Sequence, residues 1–221
     1  MWGLLQAEGA EFPPMQQKVI KCSRGVYRGE VANGERNGHG TFTSSGGDII
    51  YKGQWLQGKR HGDGTLTKTD GSVYKGKWAQ GKKQGFGTAR WYDDGCLMRY
   101  DGAFANNQLY GHGKLTFDGS SYEGQWADEE RNGHGKETLA KSKCEVVYVG
   151  KWAGDERHGC GKLTLASGKV REGTFDKGKF VGPADATAAV DATAITVAST
   201  AVAITEAAKA AAAADAAATV A

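Results

Sequence analysis

Y-K-G-Q-W-L-Q-G-K-R-H-G-D-G, the stretch from Tyr51 to Gly64, decides the fold because versions of it recur along most of the chain. The seven copies begin at residues 27, 51, 74, 100, 122, 148 and 171. Repetition at a short, nearly constant period is typical of arrays in which each unit packs mainly against its neighbours. The chain is therefore expected to fold as a stack of seven similar units.

Each copy has the pattern of a β-hairpin. With the tyrosine counted as offset 0, Tyr51, Gly53 and Trp55 alternate with the polar Lys52 and Gln54. This period of two predicts a strand with one apolar face. Most copies have a glycine at offset 7, and glycines recur at offsets 11 and 13. The pattern therefore predicts a turn followed by a second, antiparallel strand.

The glycines inside the strands recur too regularly to be defects. We expect each to leave a shelf on the backbone, across which an aromatic ring from a neighbouring strand lies. The predicted lattice of aromatic residues and glycines comprises Tyr27, Gly29, Tyr51, Gly53, Trp55, Gly62, Gly64, Tyr74, Gly76, Trp78, Gly85, Gly87, Tyr100, Gly102, Phe104, Tyr122, Gly124, Trp126, Tyr148, Gly150, Trp152, Gly173 and Phe175.

The pattern Y-x-G-x-W-x-x-G-x-x-x-G-x-G resembles the MORN repeat over about residues 27–182. The resemblance implies an all-β fold, an extended, twisted, single-layer antiparallel meander of about seven MORN β-hairpins. The copies depart from the pattern at the first aromatic, at three turn glycines, at one apolar position and at the last tyrosine. The departures are Val31, Asn107, Glu129, Asp155, Glu137 and Arg171.

Composition divides the chain into three parts. Residues 1–23 are an N-terminal leader, in which 15–22 is predicted to form a strand that pairs with the first hairpin and caps the array. Residues 24–183 are the repeat array, interrupted by a longer and irregular connection at 140–145. Residues 184–221 are an alanine-rich, low-complexity tail. The alternative for this tail is a helix that packs back on the sheet or docks to a partner.

Basic residues gather at offsets 8 and 9, in and after the hairpin turns. The formal net charge is +3 overall, and the acidic tail leaves the rest of the chain about +6. Stacked turns would align these side chains in a ridge facing solvent, able to contact anionic lipid or an acidic protein. The alternative is that they are solvated turn residues without a ligand. The candidates are Lys59, Arg60, Lys82, Lys83, Arg131, Arg157 and Lys179.

The sequence predicts no catalytic, metal-binding or cofactor-binding residues. The four cysteines lack metal-ligand spacing and are expected to be reduced thiols. The histidines occupy repeated lattice positions, and no phosphate-binding loop precedes a helix. Nucleic acid is disfavoured as a ligand because the aromatic residues are predicted to pack and the charges are mixed.

The resemblance implies a non-enzymatic scaffold in a cytoskeletal, axonemal (cilium or flagellum) or membrane–cytoskeleton assembly. Its localisation would be intracellular: cytoplasmic, cytoskeletal or ciliary, or membrane-associated. Trp91 and Tyr92 lie off the repeat lattice and are candidate contacts for a protein partner. The alternative function is a peripheral membrane adaptor that binds phosphoinositides through the basic turns. Pairing of free edge strands would also allow a homodimer.

Overall fold

The structure, a computed structural model, describes residues 15–141 and 144–183, which form strands joined by short turns. The strands are β1 Gln16–Cys22, β2 Gly25–Ala32, β3 Glu35–Ser44, β4 Ile49–Leu56, β5 Lys59–Lys68, β6 Val73–Ala79, β7 Lys82–Asp93, β8 Cys96–Ala105, β9 Gln108–Phe117, β10 Ser120–Ala127, β11 Glu130–Lys141, β12 Cys144–Ala153, β13 Glu156–Thr164, β14 Val170–Asp176 and β15 Lys179–Gly182.

The 15 strands lie in one sheet in their order along the chain, and every neighbouring pair is antiparallel. The predicted all-β meander is confirmed. Seven hairpins, β2–β3 to β14–β15, correspond to the seven copies, and β1 pairs with β2 from Gln16↔Val31 to Cys22↔Gly25. The strand predicted in the leader therefore forms and lies at one edge of the sheet, with β15 at the other.

The hairpin turns have left-handed backbone geometry at both central residues. Gln57 and Gly58 have φ angles of 49° and 72°, as a type I′ turn requires, and this turn matches the twist of the strands. Asn107, Glu129 and Asp155 adopt the same conformation, with φ of 79°, 70° and 64°. The missing turn glycines therefore leave the topology unchanged, at a cost in backbone energy.

The irregular connection predicted at 140–145 is wrong. Strands β11 and β12 continue in register to its centre, where Ala140 pairs with Glu145 and Lys141 with Cys144. Leu139 and Val146 face each other just before, and such apolar cross-strand pairs stabilise a long hairpin. Residues 142 and 143 lie outside the described part, as do residues 1–14 and the tail from 184 onward.

The core is one face of the sheet, which we call the ring face. It carries the lattice aromatic residues, and the Tyr100 and Tyr148 side chains are 0% exposed. The opposite face, the back face, is largely polar and has cross-strand ion pairs such as Lys77 Nζ–Asp63 Oδ2 at 2.8 Å. The alternation of apolar and polar residues thus separates a packed face from a solvated one.

Candidate functional site: the ring face

Each lattice tyrosine lies across a pair of glycines. The Tyr51 ring covers Gly53 on its own strand and Gly64 on the next, and a Cβ on either glycine would overlap the phenol. The Tyr51 hydroxyl donates a hydrogen bond to the Gln54 backbone oxygen at 3.0 Å. The same bond, from offset 0 to offset 3, is made by Tyr27, Tyr74, Tyr100, Tyr122 and Tyr148.

A β-bulge explains why this carbonyl meets a side chain. The register of the β4–β5 hairpin shifts between Gly53 and Gln54, which interrupts the regular ladder. The extra residue is accommodated at Gly62, whose φ is 54°. Gly62 and its equivalent Gly85 were expected to be shelves for aromatic rings. That expectation is wrong, because both are bulge residues that need a left-handed backbone, and the shelves lie at offsets 2 and 13 of the copies that keep the tyrosine. Gly173 is not a shelf either, because the atoms nearest to a Cβ there belong to the backbone of Gly182 and Pro183.

The lattice tryptophans join successive hairpins. Trp55 Nε1 donates to the Gly40 oxygen of the preceding hairpin at 3.1 Å. Its ring meets Tyr27 and Tyr51 edge-to-face, with centroid distances of 5.3 and 5.0 Å. Trp78, Trp126 and Trp152 make the equivalent hydrogen bond. Edge-to-face contacts of 4.9–5.6 Å therefore run without a break from Tyr27 to Phe175.

The basic residues at offset 9 lie over these rings. The guanidinium carbons of Arg36, Arg60 and Arg131 are 4.2, 4.3 and 4.3 Å from the ring centroids of Trp55, Trp78 and Trp152, each in the following hairpin. Lys83 Nζ lies 5.0 Å from the Tyr74 ring, and the Arg157 guanidinium lies 5.1 Å from the Tyr148 ring. Cations over aromatic faces at these distances are stabilising.

The prediction that the basic turn residues form one solvent-facing ridge is therefore only half right. Arg60, Lys83, Arg131 and Arg157 are half-buried on the ring face, while Lys59, Lys82 and Lys179 are exposed. The physical reason is that offsets 8 and 9 are consecutive strand residues, so their side chains point to opposite sides. Sequence analysis did not predict this division. The available signal was the aromatic residue at offset 4 of the following copy, on which a basic residue at offset 9 can lie.

Burial affects the ionisation of these cations. Loss of solvent around the side chains lowers the pKa of Arg36, of Arg60 and of Lys83 below the ordinary values. The charged forms are thus less well solvated on the ring face than in water.

Glu137, which stands where other copies have an apolar residue, forms a charged cluster with two arginines. It is 7% exposed, and its carboxylate oxygens lie 2.7 Å from Arg131 Nη1 and 2.6 Å from Arg157 Nη2. Arg131 Nε also pairs with Asp155 Oδ1 at 2.9 Å. Two buried acceptor oxygens and two guanidinium groups therefore satisfy one another, which allows a carboxylate at a core position.

Two open grooves lie on the ring face. The first, about 760 Å³, is lined mainly by residues of β1 to β5 and their turns, among them Tyr27, Phe42 and Leu66. The second, about 590 Å³, is lined by residues from Lys83 to Asp155, including Trp91. Both are shallow surfaces on which the edges of aromatic and aliphatic side chains meet polar groups.

The two off-lattice aromatic residues are separated by the sheet. Trp91 is half-buried, packs against the core and borders the second groove. Tyr92 is the next strand residue and is 58% exposed. The structure therefore does not bring the two candidate protein contacts together on one surface.

Within residues 15–141 and 144–183, no group of three or more histidine, cysteine, aspartate or glutamate side chains is placed to hold a metal ion. Cys22, Cys96 and Cys160 are free thiols, and the Cys144 side chain lies outside the described part. In the same residues, no helix is long and apolar enough to cross a membrane.

Comparison with known families identifies the repeat. A family model for the MORN repeat matches six tandem segments, at residues 27–49, 51–73, 74–96, 100–121, 122–142 and 148–170. The seventh copy, which begins at Arg171 and lacks the tyrosine, lies beyond the matched segments. A search of curated proteins finds no match to the chain.

Proposed function

The chain belongs to the MORN-repeat family, and from this premise we propose that it is a non-enzymatic scaffold whose ring face holds a segment of a partner protein. MORN repeats are generally modules for interaction with proteins or membranes, and proteins built from them are typically non-catalytic. We place the scaffold in an intracellular assembly of the cytoskeleton, of a cilium, or of the junction between membrane and cytoskeleton.

The observation that carries this proposal is that the described sheet is a single layer. All 15 strands lie in one sheet, so within the described residues no second layer covers the ring face. Phe42, Leu66 and Leu115 pack at the margin of the core and remain half-buried. A sheet face with half-buried apolar residues gains stability when a second element covers it.

A second candidate function, a peripheral membrane adaptor, is favoured by the alignment of the hairpin turns. The Gly58 and Gly81 amides, in the turns, donate to the Arg36 and Arg60 backbone oxygens of the preceding hairpins, both at 2.9 Å. Stacked turns bring the exposed Lys59 and Lys82 onto one edge of the sheet. A line of exposed lysines attracts anionic headgroups, and this attraction weakens as salt is added.

Two variants distinguish the functions. Leu66→Ala combined with Leu115→Ala trims the ring face, and Ala89 already occupies the equivalent position in another copy. Lys82→Glu combined with Lys179→Glu reverses exposed charges outside both groove linings and without touching the rings. The scaffold function predicts that the leucine variant loses capture of partners from cell extract, while the lysine variant keeps it. Each variant is compared with the unaltered chain by circular dichroism.

Sedimentation with vesicles of phosphatidylcholine and phosphatidylinositol bisphosphate provides the second measurement. Binding at physiological salt that the lysine variant loses and the leucine variant retains would establish the membrane adaptor instead. Capture that survives in the leucine variant would contradict the scaffold function.

A further inference from the structure

The two grooves of the ring face differ in charge. We call the part of the face with the first groove, β1 to β5, the N-terminal half, and the part from Lys83 onward the C-terminal half. Both halves have basic residues at offset 9. The first groove is lined by four basic residues, Arg24, Arg36, Lys59 and Arg60, and by one acidic residue, Glu35. The second groove is lined by two basic residues, Lys83 and Arg131, and by two acidic residues, Glu129 and Asp155. The formal charges of the linings are therefore +3 and 0.

In the C-terminal half, the arginines at offset 9 are already neutralised. Arg131 is paired with Glu137 and Asp155, and Arg157 is paired with Glu137, at distances of 2.6–2.9 Å. The guanidinium groups are also held in place by these contacts, since Arg131 donates to the Asp155 backbone oxygen as well. An incoming anion would have to displace carboxylates that are fixed in the fold.

In the N-terminal half, the equivalent arginines have no carboxylate partner among the described residues, although Arg36 Nη2 donates to the Gly58 backbone oxygen at 2.6 Å. In the part of the chain that the structure describes, no carboxylate oxygen lies within 4.0 Å of the side-chain nitrogens of Arg36 or Arg60. Burial nevertheless removes part of the hydration of Arg36 and Arg60 and lowers the pKa of each. A carboxylate bound against these arginines would stabilise their positive charges, because the aromatic rings beneath them compensate only in part for the lost water.

From this difference we propose that the groove of β1 to β5 binds an acidic segment of a partner protein, with carboxylates at Arg36 and Arg60 and apolar side chains on Phe42 and Leu66. This inference rests on the scaffold function proposed above and names the partner's chemistry. Charge complementarity selects the partner, because the groove has a net positive lining and an apolar floor.

The spacing of the two arginines adds a constraint on the partner. Arg36 and Arg60 occupy the same offset in adjacent hairpins, so two strand spacings, about 10 Å, separate them along the sheet. Residues about seven apart on one face of a helix have this separation, since the rise is about 1.5 Å per residue. The best-matched segment is an amphipathic helix that runs across the strands with acidic residues about seven positions apart.

Fluorescence anisotropy of a labelled peptide tests the proposal on the full chain. The probe is an amphipathic peptide with glutamates about seven residues apart and leucines between them, and its control has glutamine at each glutamate. We expect the glutamate peptide to bind about tenfold more tightly than the glutamine peptide. Arg36→Gln combined with Arg60→Gln should remove this advantage.

The matched control changes the same offset in the other half of the sheet. Arg157→Gln combined with Glu137→Gln removes one charge of each sign and should leave binding of the glutamate peptide unchanged. Arg36→Lys combined with Arg60→Lys keeps the charge, and should keep most of the binding at low salt. This arginine-to-lysine variant makes the test independent of any damage that the glutamine substitutions cause to the fold.

Several results would overturn the acidic-segment proposal. Equal affinity for the two peptides would do so, and so would equal loss of binding in the N-terminal and C-terminal variants. Binding of phosphatidylinositol bisphosphate vesicles that depends on Arg36 and Arg60, without peptide binding, would assign the groove to lipid headgroups. The scaffold function is tested separately, because the capture experiment with the Leu66→Ala and Leu115→Ala variant does not use the probe peptide.

Discussion

At the scale of single residues, the sheet depends on a tyrosine that fits two glycines. The Tyr51 ring occupies the space that side chains at Gly53 and Gly64 would fill, and its hydroxyl bonds the carbonyl at the bulge. The glycines therefore contribute a surface rather than flexibility. This arrangement recurs in six copies and explains why a strand rich in glycine is stable.

The cost of filling the shelf can be compared with the cost of losing the hydroxyl. Tyr51→Phe should lower the free energy of unfolding by about 1 kcal/mol, the usual value of one hydrogen bond. Gly64→Ala should lower it by about 2–3 kcal/mol, because the new Cβ overlaps the phenol ring. Urea denaturation followed by tryptophan fluorescence measures both changes.

Gly182→Ala is the control for the shelf, since an added Cβ there meets no atom within 4 Å. It should change the free energy of unfolding little. A loss at Gly182 as large as that at Gly64 would show that strand glycines matter through the backbone and not through ring packing.

At the scale of the hairpin, a type I′ turn closes each unit, and in four units a tryptophan reaches the preceding hairpin. The turn is local and tolerates Asn107, Glu129 and Asp155 at a position best suited to glycine. The tryptophan contact joins residues 13–17 positions apart, as in Trp126 to Gly113 and Trp152 to Gly135. Hairpins are therefore formed locally and stabilised by their neighbours.

Replacing Glu129 with glycine should stabilise the protein. Glu129 has a φ of 70°, which is costly for a residue with a Cβ and not for glycine. We expect the midpoint of thermal unfolding to rise, with a gain of about 1 kcal/mol at most. Glu130→Gly, at the first position of β11, should instead destabilise because glycine is disfavoured in strands. A lower midpoint for Glu129→Gly would contradict this account of the turn.

Trp78→Ala tests the coupling between hairpins. The substitution removes edge-to-face contacts with Tyr51 and Tyr74, the hydrogen bond to Gly64 and the platform of Arg60. A loss of about 3–5 kcal/mol is expected for a buried aromatic residue. Hydrogen exchange should increase in both the β4–β5 and β6–β7 hairpins. Exchange that increases only within β6–β7 would show that the hairpins are energetically independent.

At the scale of the whole molecule, the buried tyrosines make the sheet sensitive to alkali. Burial raises the pKa of Tyr27 and of Tyr148 to about 12. The pKa values of Tyr51, Tyr74, Tyr100 and Tyr122 are also raised, again chiefly by burial. The folded state thus favours the neutral phenol more strongly than the unfolded chain does, whose tyrosines titrate near pH 10.

The sign of the effect follows from linkage. The stability due to these shifts is fully present below about pH 10 and is lost as the pH rises toward about 12. Urea denaturation at a series of pH values should show a steep loss over this interval. Tyr148→Phe should reduce by about one the number of protons released on unfolding. Stability that stays constant from pH 9 to pH 12 would contradict burial of the tyrosines.

The sequence by itself determined the repeat, the hairpins and the order of the strands. These features are local: alternation of Tyr51, Gly53 and Trp55 specifies a strand face, and a short turn places the next strand beside it. Because each unit packs on its neighbour in the chain, the local pattern also specified the whole sheet. Even the leader strand could be predicted, since an exposed edge needs a cover.

Only the tertiary structure decided the chemistry of the ring face. Lys59 and Arg60 are adjacent in the sequence, yet one is exposed and the other lies on Trp78 of the next hairpin. Glu137 departs from the repeat pattern, and its role depends on Arg157, which is 20 residues away. Such contacts depend on how side chains of different hairpins meet laterally, whereas hydrophobic periodicity reports only which face of its own strand a residue occupies.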